Sequence, residues 1–197
     1  MSVLLKCLDI EMIKRKLLYW INKLFKPTMI GGFKRGDGVF LKRTRISNTT
    51  FIDQPEHLQI EDNVFIGHHN YLEASNGLSI GEGCQITSFV SITTHSSHQS
   101  IRLYGANYSG QEMHAYVKGK VEVGKYTFVG PHSVIMPNTK IGKGSIVAAY
   151  SYVQGEFPDF AIIAGNPAEV KGDTRTLDKE YLEKYPELLE NYKKWSK

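Results

Sequence analysis

In the stretch VEVGKYTFVGPHSVIMPNTKIGKGSIVAAYSYVQ, residues 121–154, the side chains Val123, Val129, Ile135, Ile141, Val147 and Val153 fall six residues apart without a slip. Four positions after each of the first five stands a small hydroxyl residue: Thr127, Ser133, Thr139, Ser145 and Ser151. Glycine follows the aliphatic at Gly124, Gly130 and Gly142. A step of six matches neither the helical period of about 3.6 nor the alternation of a plain strand. Short extended segments joined by tight corners do satisfy it. Each corner turns the chain onto the next side of a prism. The aliphatic points inward and stacks on its equivalents in the coils above and below. β-Branched side chains suit the extended backbone, the small hydroxyl fits a crowded corner, and glycine permits close approach of backbones.

An earlier array keeps the same period. Ile60, Ile66 and Leu72 are six apart; a two-residue slip at Leu78-Ser79 follows, and Ile80, Ile86 and Ile92 resume the step. Upstream, Phe40, Ile46, Ile52 and Leu58 also keep it, so the repeats cover roughly residues 40–155. Two ends remain. Residues 2–26 read as an amphipathic helix, with Leu4, Leu8, Ile13, Leu17, Trp20, Ile21, Leu24 and Phe25 on a broad face and Lys6, Lys14, Lys16 and Lys23 elsewhere; Pro27 ends it. Two readings stay open for this helix: packing on the prism or on a partner subunit, or lying on an anionic membrane. Residues 176–195 read as a C-terminal helix broken near Pro186. The expected organisation is an N-terminal helix over 1–27, a solenoid over 28–170 and a helical tail over 171–197.

Composition narrows the partners. Hydrophobic residues are 41% and charged residues 22% of the 197, as in a soluble globular protein. A net charge of +4 suits an anionic small molecule or a membrane surface and falls short of a dedicated nucleic-acid binder. Cys7 and Cys84 are far apart and form no CxxC pair, which argues against a disulfide scaffold or a zinc knot and for a reducing cytoplasm. Cys84 takes the small-residue position of its hexad and is expected in the core. Charges from Lys6 to Lys16 break any apolar run expected of a signal peptide.

The repeat stops at SITTHSSHQS, residues 91–100, and the period fails until about Val117. Stacked coils need no insertion there, and long loops in compact solenoids are usually functional. The inserted loop, about residues 96–116, carries His98, Arg102, Tyr104, Asn107, Tyr108, Gln111, Glu112, His114 and Tyr116. His95 stands where the strand leaves the coil. An imidazole held there on rigid backbone suits proton transfer near neutral pH.

The repeat resembles the left-handed parallel β-helix of the hexapeptide-repeat acyltransferases, an all-β solenoid. Its handedness, contrary to the usual crossover rule, is implied by the resemblance and not by the spacing. In that family a long loop leaves the prism just after a Thr-His or Gly-His element, and that histidine is the general base; TTH matches it, and the role passes to His95. The resemblance implies direct attack of an acceptor hydroxyl or amine on the thioester of acetyl-CoA, with no covalent enzyme intermediate and no metal. It implies a pantetheine groove near Gly130, Pro131 and Ala149. The GNPA turn, residues 165–168, matches as well, but Glu169 stands where the family commonly has a base, so Lys171, Lys143 or Lys125 is expected at the nucleotide phosphate. Asn70, Glu73 and His98 are the expected acceptor-binding residues, with His68 and His69 beside them.

The function so implied is O-acetylation of a cell-surface glycan or its precursor by a cytoplasmic homotrimer, with peripheral membrane contact through the basic helix as the open possibility. Alternatives are a sugar-nucleotide N-acetyltransferase and an antibiotic O-acetyltransferase of the streptogramin type. A γ-class carbonic anhydrase-like zinc enzyme would show two histidines five apart on one coil, whereas His95 and His98 are three apart at a loop exit. A β-helix without catalysis is the remaining class.

Overall fold

The computed structural model of the protein describes residues 2–197, with side chains from residue 12 onward, and its hexads wind into a left-handed parallel β-helix of about six coils. Three sheets form the prism. The first face carries Phe40–Ser47, Phe65–Ile66, Gln85–Ile86, Phe128–Val129, Ile146–Val147 and Ala161–Gly165. The second carries Phe51–Asp53, Tyr71–Glu73, Ser91–Ile92, Val134–Ile135 and Tyr152–Val153. The third carries Leu58–Ile60, Leu78–Ile80, Val121–Val123, Thr139–Ile141 and Glu156–Phe157.

The aliphatic column is the core. Ile66, Ile86, Val129 and Val147 stack on the first face, and Leu72, Ile92, Ile135 and Val153 on the second, all buried. The hydroxyl residues of the hexads tie one coil to the next: Thr127 Oγ1 donates to the Gly142 carbonyl at 3.1 Å and Ser133 Oγ to that of Ala148 at 2.9 Å. The slip at Leu78-Ser79 lies in the corner before the third face: Leu72 and Ile80 are eight residues apart where Ile135 and Ile141 are six. Early coils such as Ile66 to Ile86 therefore take 20 residues and late ones such as Val129 to Val147 take 18, and both Leu78 and Ile80 point inward. Cys84 is in the core as expected; burial pushes its thiol up to about 12, and Sγ points at the Gly124 carbonyl.

Two readings change. Phe40 is 65% exposed, and Leu41 takes the inward position. The strand Phe40–Ser47 pairs antiparallel with Met29–Lys34, and the Phe40 ring lies over Gly32, so its register comes from this hairpin. At the other end Ala168–Asp173 pairs antiparallel with Ala161–Gly165, so both edges of the first sheet end in hairpins. The period resumes at Val121, not Val117, which instead pairs with Ser96 in the neck of the loop.

In the N-terminal helix, Ser2–Leu24, the described side chains, those of residues 12–24, are exposed throughout and do not pack on the prism. Ile13, Leu17, Trp20 and Leu24 keep helical spacing on one face, while Met12, Leu18 and Tyr19 expose apolar surface on other sides. The side chains of Leu4, Lys6, Cys7 and Leu8 lie outside the described residues. At the C-terminus, Asp173 caps a helix over Thr174–Lys184, and a short turn at Pro186–Leu188 leads into Leu189–Ser196. Trp195 docks this tail on the prism through Tyr126 and Phe160.

Candidate active site

His95 sits at the corner between the second and third faces, at the exit of the inserted loop. The neck closes where His95 and Ser96 pair antiparallel with Lys118 and Val117. One coil earlier the same corner carries Glu73 and Ser75, because Tyr71 pairs with Ser91 and Leu72 with Ile92. His95 Nδ1 lies 2.9 Å from Glu73 Oε2, and Ser75 Oγ stands 3.4 Å from the same nitrogen. The side chain of Glu73 is 1% exposed and that of His95 36%.

A buried carboxylate is costly unless hydrogen bonds satisfy it. Burial alone would push Glu73 up. Donation from the Ser75 hydroxyl, from the Thr94 hydroxyl and amide to Oε2 at 2.7 and 2.8 Å, and from the Ser75 amide to Oε1 at 2.6 Å outweighs it and holds the carboxyl at about 2. Glu73 is therefore an ionised acceptor for a proton on His95 Nδ1. That pairing leaves the Nε2 lone pair as the free basic position. Tyr116, on the returning arm of the loop, stacks on the imidazole with centroids 5.7 Å apart, and Lys118 lies over the Tyr116 ring.

The other expected site residues fall elsewhere. Glu73 does not face open space as an acceptor-binding residue must; it is spent on His95, Ser75 and Thr94. Asn70 is also buried and spent on backbone: Oδ1 accepts from the Val90 amide at 2.7 Å and Nδ2 donates to the Gly67 carbonyl at 3.2 Å. His98 is exposed in the loop, with Nδ1 2.8 Å from Ser96 Oγ. His68 and His69 lie at the first corner, where His68 meets Ser47. Thr94, Ser75 and Tyr116 complete the surroundings of the imidazole without having been singled out for it by their sequence.

Gly130, Pro131 and Ala149 lie at the corner between the first and second faces. Gly130 is required by packing: a Cβ there would come within 2.6 Å of the Ala149 nitrogen. Gly130→Ala is expected to lower unfolding stability by about 1–3 kcal/mol through overpacking, read from urea denaturation. The same corner carries a column of stacked rings. His69, Phe89, His132 and Tyr150 follow one another at 5.1, 4.9 and 4.8 Å, each on left-handed backbone. Lys171 is exposed on the closing strand and paired with Glu169 at 2.7 Å. Lys125 and Lys143 sit at the third-to-first corner, away from Gly130 and Ala149. Within one chain, then, His95 and the expected donor groove occupy different corners of the prism. Among the described residues, no group of three or more His, Cys, Asp or Glu side chains could hold a metal ion.

Comparison with known proteins agrees with the repeat. Residues 113–155 match the family model described as bacterial transferase hexapeptide (six repeats). WbbJ of Escherichia coli (strain K12), provisionally assigned to lipopolysaccharide biosynthesis O-acetyl transfer, is 30% identical over 112 residues, 55% of this chain and 57% of its own length. The galactoside O-acetyltransferase of the same strain is 26% identical over 144 residues, 69% of this chain and 66% of its own. The chain thus spans somewhat less than two thirds of the length of these relatives. Among solved structures, AntD, an N-acyltransferase from Bacillus cereus in complex with dTDP and 3-hydroxybutyryl-CoA, shares the fold. It aligns with a TM-score of 0.51 at 22% identity, over 73% of this chain and 88% of its own.

Proposed function

We propose that this hexapeptide-repeat protein transfers acetyl from acetyl-CoA to a sugar hydroxyl of a cell-surface glycan or its precursor, with His95 as general base and Glu73 as the residue that positions it. The buried, ionised Glu73 against His95 Nδ1 carries the reading. His95 Nε2 takes the acceptor hydroxyl proton as the oxygen attacks the thioester carbonyl; the C–O bond forms, the C–S bond breaks, and the thiolate leaves with the proton returned by His95. A backbone N–H directed at the carbonyl oxygen stabilises the oxyanion. The two O-acetyltransferase relatives favour a hydroxyl acceptor over an amine.

The donor runs along Gly130, Pro131 and Ala149, with Lys171 released from its exposed pair with Glu169 to meet phosphate; exposed pairs contribute only about 0–1 kcal/mol. Because this groove and His95 occupy different corners, a complete site forms where the corners of two protomers meet, in a homotrimer. His98, exposed on the loop, contacts the acceptor. The experiment is thiol release from acetyl-CoA across free sugars, nucleotide sugars and glycan precursors, with product mass recorded before and after mild base. A base-labile acetyl product on a sugar is expected. A base-stable product would make the enzyme an N-acetyltransferase, and no product with any sugar would overturn the reading.

The N-terminal helix rests on an anionic membrane surface. Residues 12–26 carry Lys14, Arg15, Lys16, Lys23 and Lys26 and no carboxylate, and Trp20 and Tyr19 are exposed beside Leu17 and Ile13. No described helix is long and apolar enough to cross a membrane. Leu17→Glu is expected to lower co-sedimentation with vesicles containing anionic phosphatidylglycerol by roughly tenfold. Equal sedimentation of both proteins, or equal binding to neutral vesicles, would leave the helix to a protein partner.

A further inference from the structure

A cleft of about 920 Å³ opens where the C-terminal helices lie against the corner between the third and first faces. It is on a different prism edge from both His95 and Gly130, and no catalytic step uses it. One wall is aromatic. Tyr126 at the corner and Trp195 on the last helix have ring centroids 4.7 Å apart, with Tyr192 edge-on to Trp195 at 5.2 Å. Lys125, Lys143 and Lys194 line the same cleft. Asp178, a part-buried carboxylate hydrogen-bonded to Tyr192, lines it as well.

We infer that this cleft binds an acidic saccharide, a glycan segment bearing carboxylate groups. The apolar faces of pyranose rings pack on indole and phenol rings. The lysines hold partners that an incoming anion can replace: Lys125 meets Glu61 at 3.4 Å and Lys194 meets Glu190 at 3.3 Å, both largely exposed pairs. Lys143 Nζ donates to the Lys197 carbonyl. Asp178 and Glu82, both on the lining, supply acceptors for sugar hydroxyls, donors that a ligand made of phosphate charge alone does not offer. The volume is of the size used for ligand recognition, roughly 300–1,000 Å³, and exceeds the needs of one monosaccharide. A polymeric acceptor would be held here while a distant residue of the same polymer reaches His95. That use rests on the glycan acceptor proposed above; the binding itself does not.

Calorimetric titration of the full chain with a hyaluronan hexasaccharide, with maltohexaose as the neutral control and ADP as the phosphate control, tests it. The acidic sugar is expected to bind at least about tenfold more tightly than the neutral one, and more weakly as salt rises. Lys194→Gln is expected to weaken it roughly fivefold, whereas Glu190→Gln, which frees Lys194, leaves it as tight or tighter. His95→Ala should bind the hexasaccharide as the wild type does, so loss of catalysis and loss of this site are read separately. Equal affinity for maltohexaose, stronger binding of ADP, or an unchanged affinity in Lys194→Gln would overturn the assignment.

Discussion

His95→Ala is expected to lower kcat for acetyl transfer by about 10²–10⁴-fold, the range that a positioned general base contributes. The KM for acetyl-CoA should change little, because His95 is proposed to act on the acceptor proton while Gly130, Pro131 and Ala149 hold the donor, so the variant loses a contact made in the transition state and not in donor binding. The side chain is about one-third exposed and stacks on Tyr116, so its removal costs the fold little. Far-UV circular dichroism and the thermal midpoint should therefore stay near wild type, and the loss should show as chemistry. Wild-type kcat in His95→Ala with an intact fold would remove the imidazole from the mechanism and leave His98 as the next residue to test.

The faces of the prism are legible in the sequence because their cause is local. An inward aliphatic every six residues followed by a small hydroxyl is a packing rule repeated coil by coil, and Val123 to Val153 obey it. Phe40 shows where counting fails. It keeps the step to Ile46, but the strand it begins takes its register from the hairpin with Met29–Lys34, and the inward side chain is Leu41. Glu73 shows a different limit. Leu72 points inward, so alternation sends Glu73 outward; the corner that follows the strand turns it back in. Its partners Thr94 and His95 come from the next coil, about one coil later in the chain. The signal was available, since the inward positions Ile66 and Ile86 lie 20 residues apart and the same step carries residues 73–75 onto 93–95. Asn70 is the same case, its amide spent on the backbone of Val90 and Gly67. The corners follow from chain register, and a hexad read singly contains none.

Glu73→Gln is expected to lower kcat by about 10²-fold or more and to destabilise the fold. Every group facing this carboxylate can donate: the Ser75 amide and hydroxyl, the Thr94 amide and hydroxyl, and His95 Nδ1–H. A glutamine has one acceptor oxygen and one NH₂. Turned either way it sets NH₂ against a donor, and an unsatisfied buried donor costs about 1–3 kcal/mol. With NH₂ toward His95, Nδ1 must become the acceptor and the proton moves to Nε2, so the base is lost through the wrong tautomer, a fault worth up to about 10⁴-fold in a His–carboxylate pair. The pH dependence has a definite sign. The carboxyl of Glu73 is at about 2 when folded against an ordinary value of 4.5, so the folded state favours the ionised form. Its contribution to stability is present in full above pH 4.5, declines as pH falls below that value and is gone below about 2. Acid titration of the wild type, followed by tryptophan fluorescence in fixed urea, should show stability falling across this window. Glu73→Gln should begin lower and lose less across it. A variant with wild-type kcat, or with the wild-type slope between pH 4.5 and 2, would separate Glu73 from His95 and leave the imidazole oriented by Ser75 and Tyr116 alone.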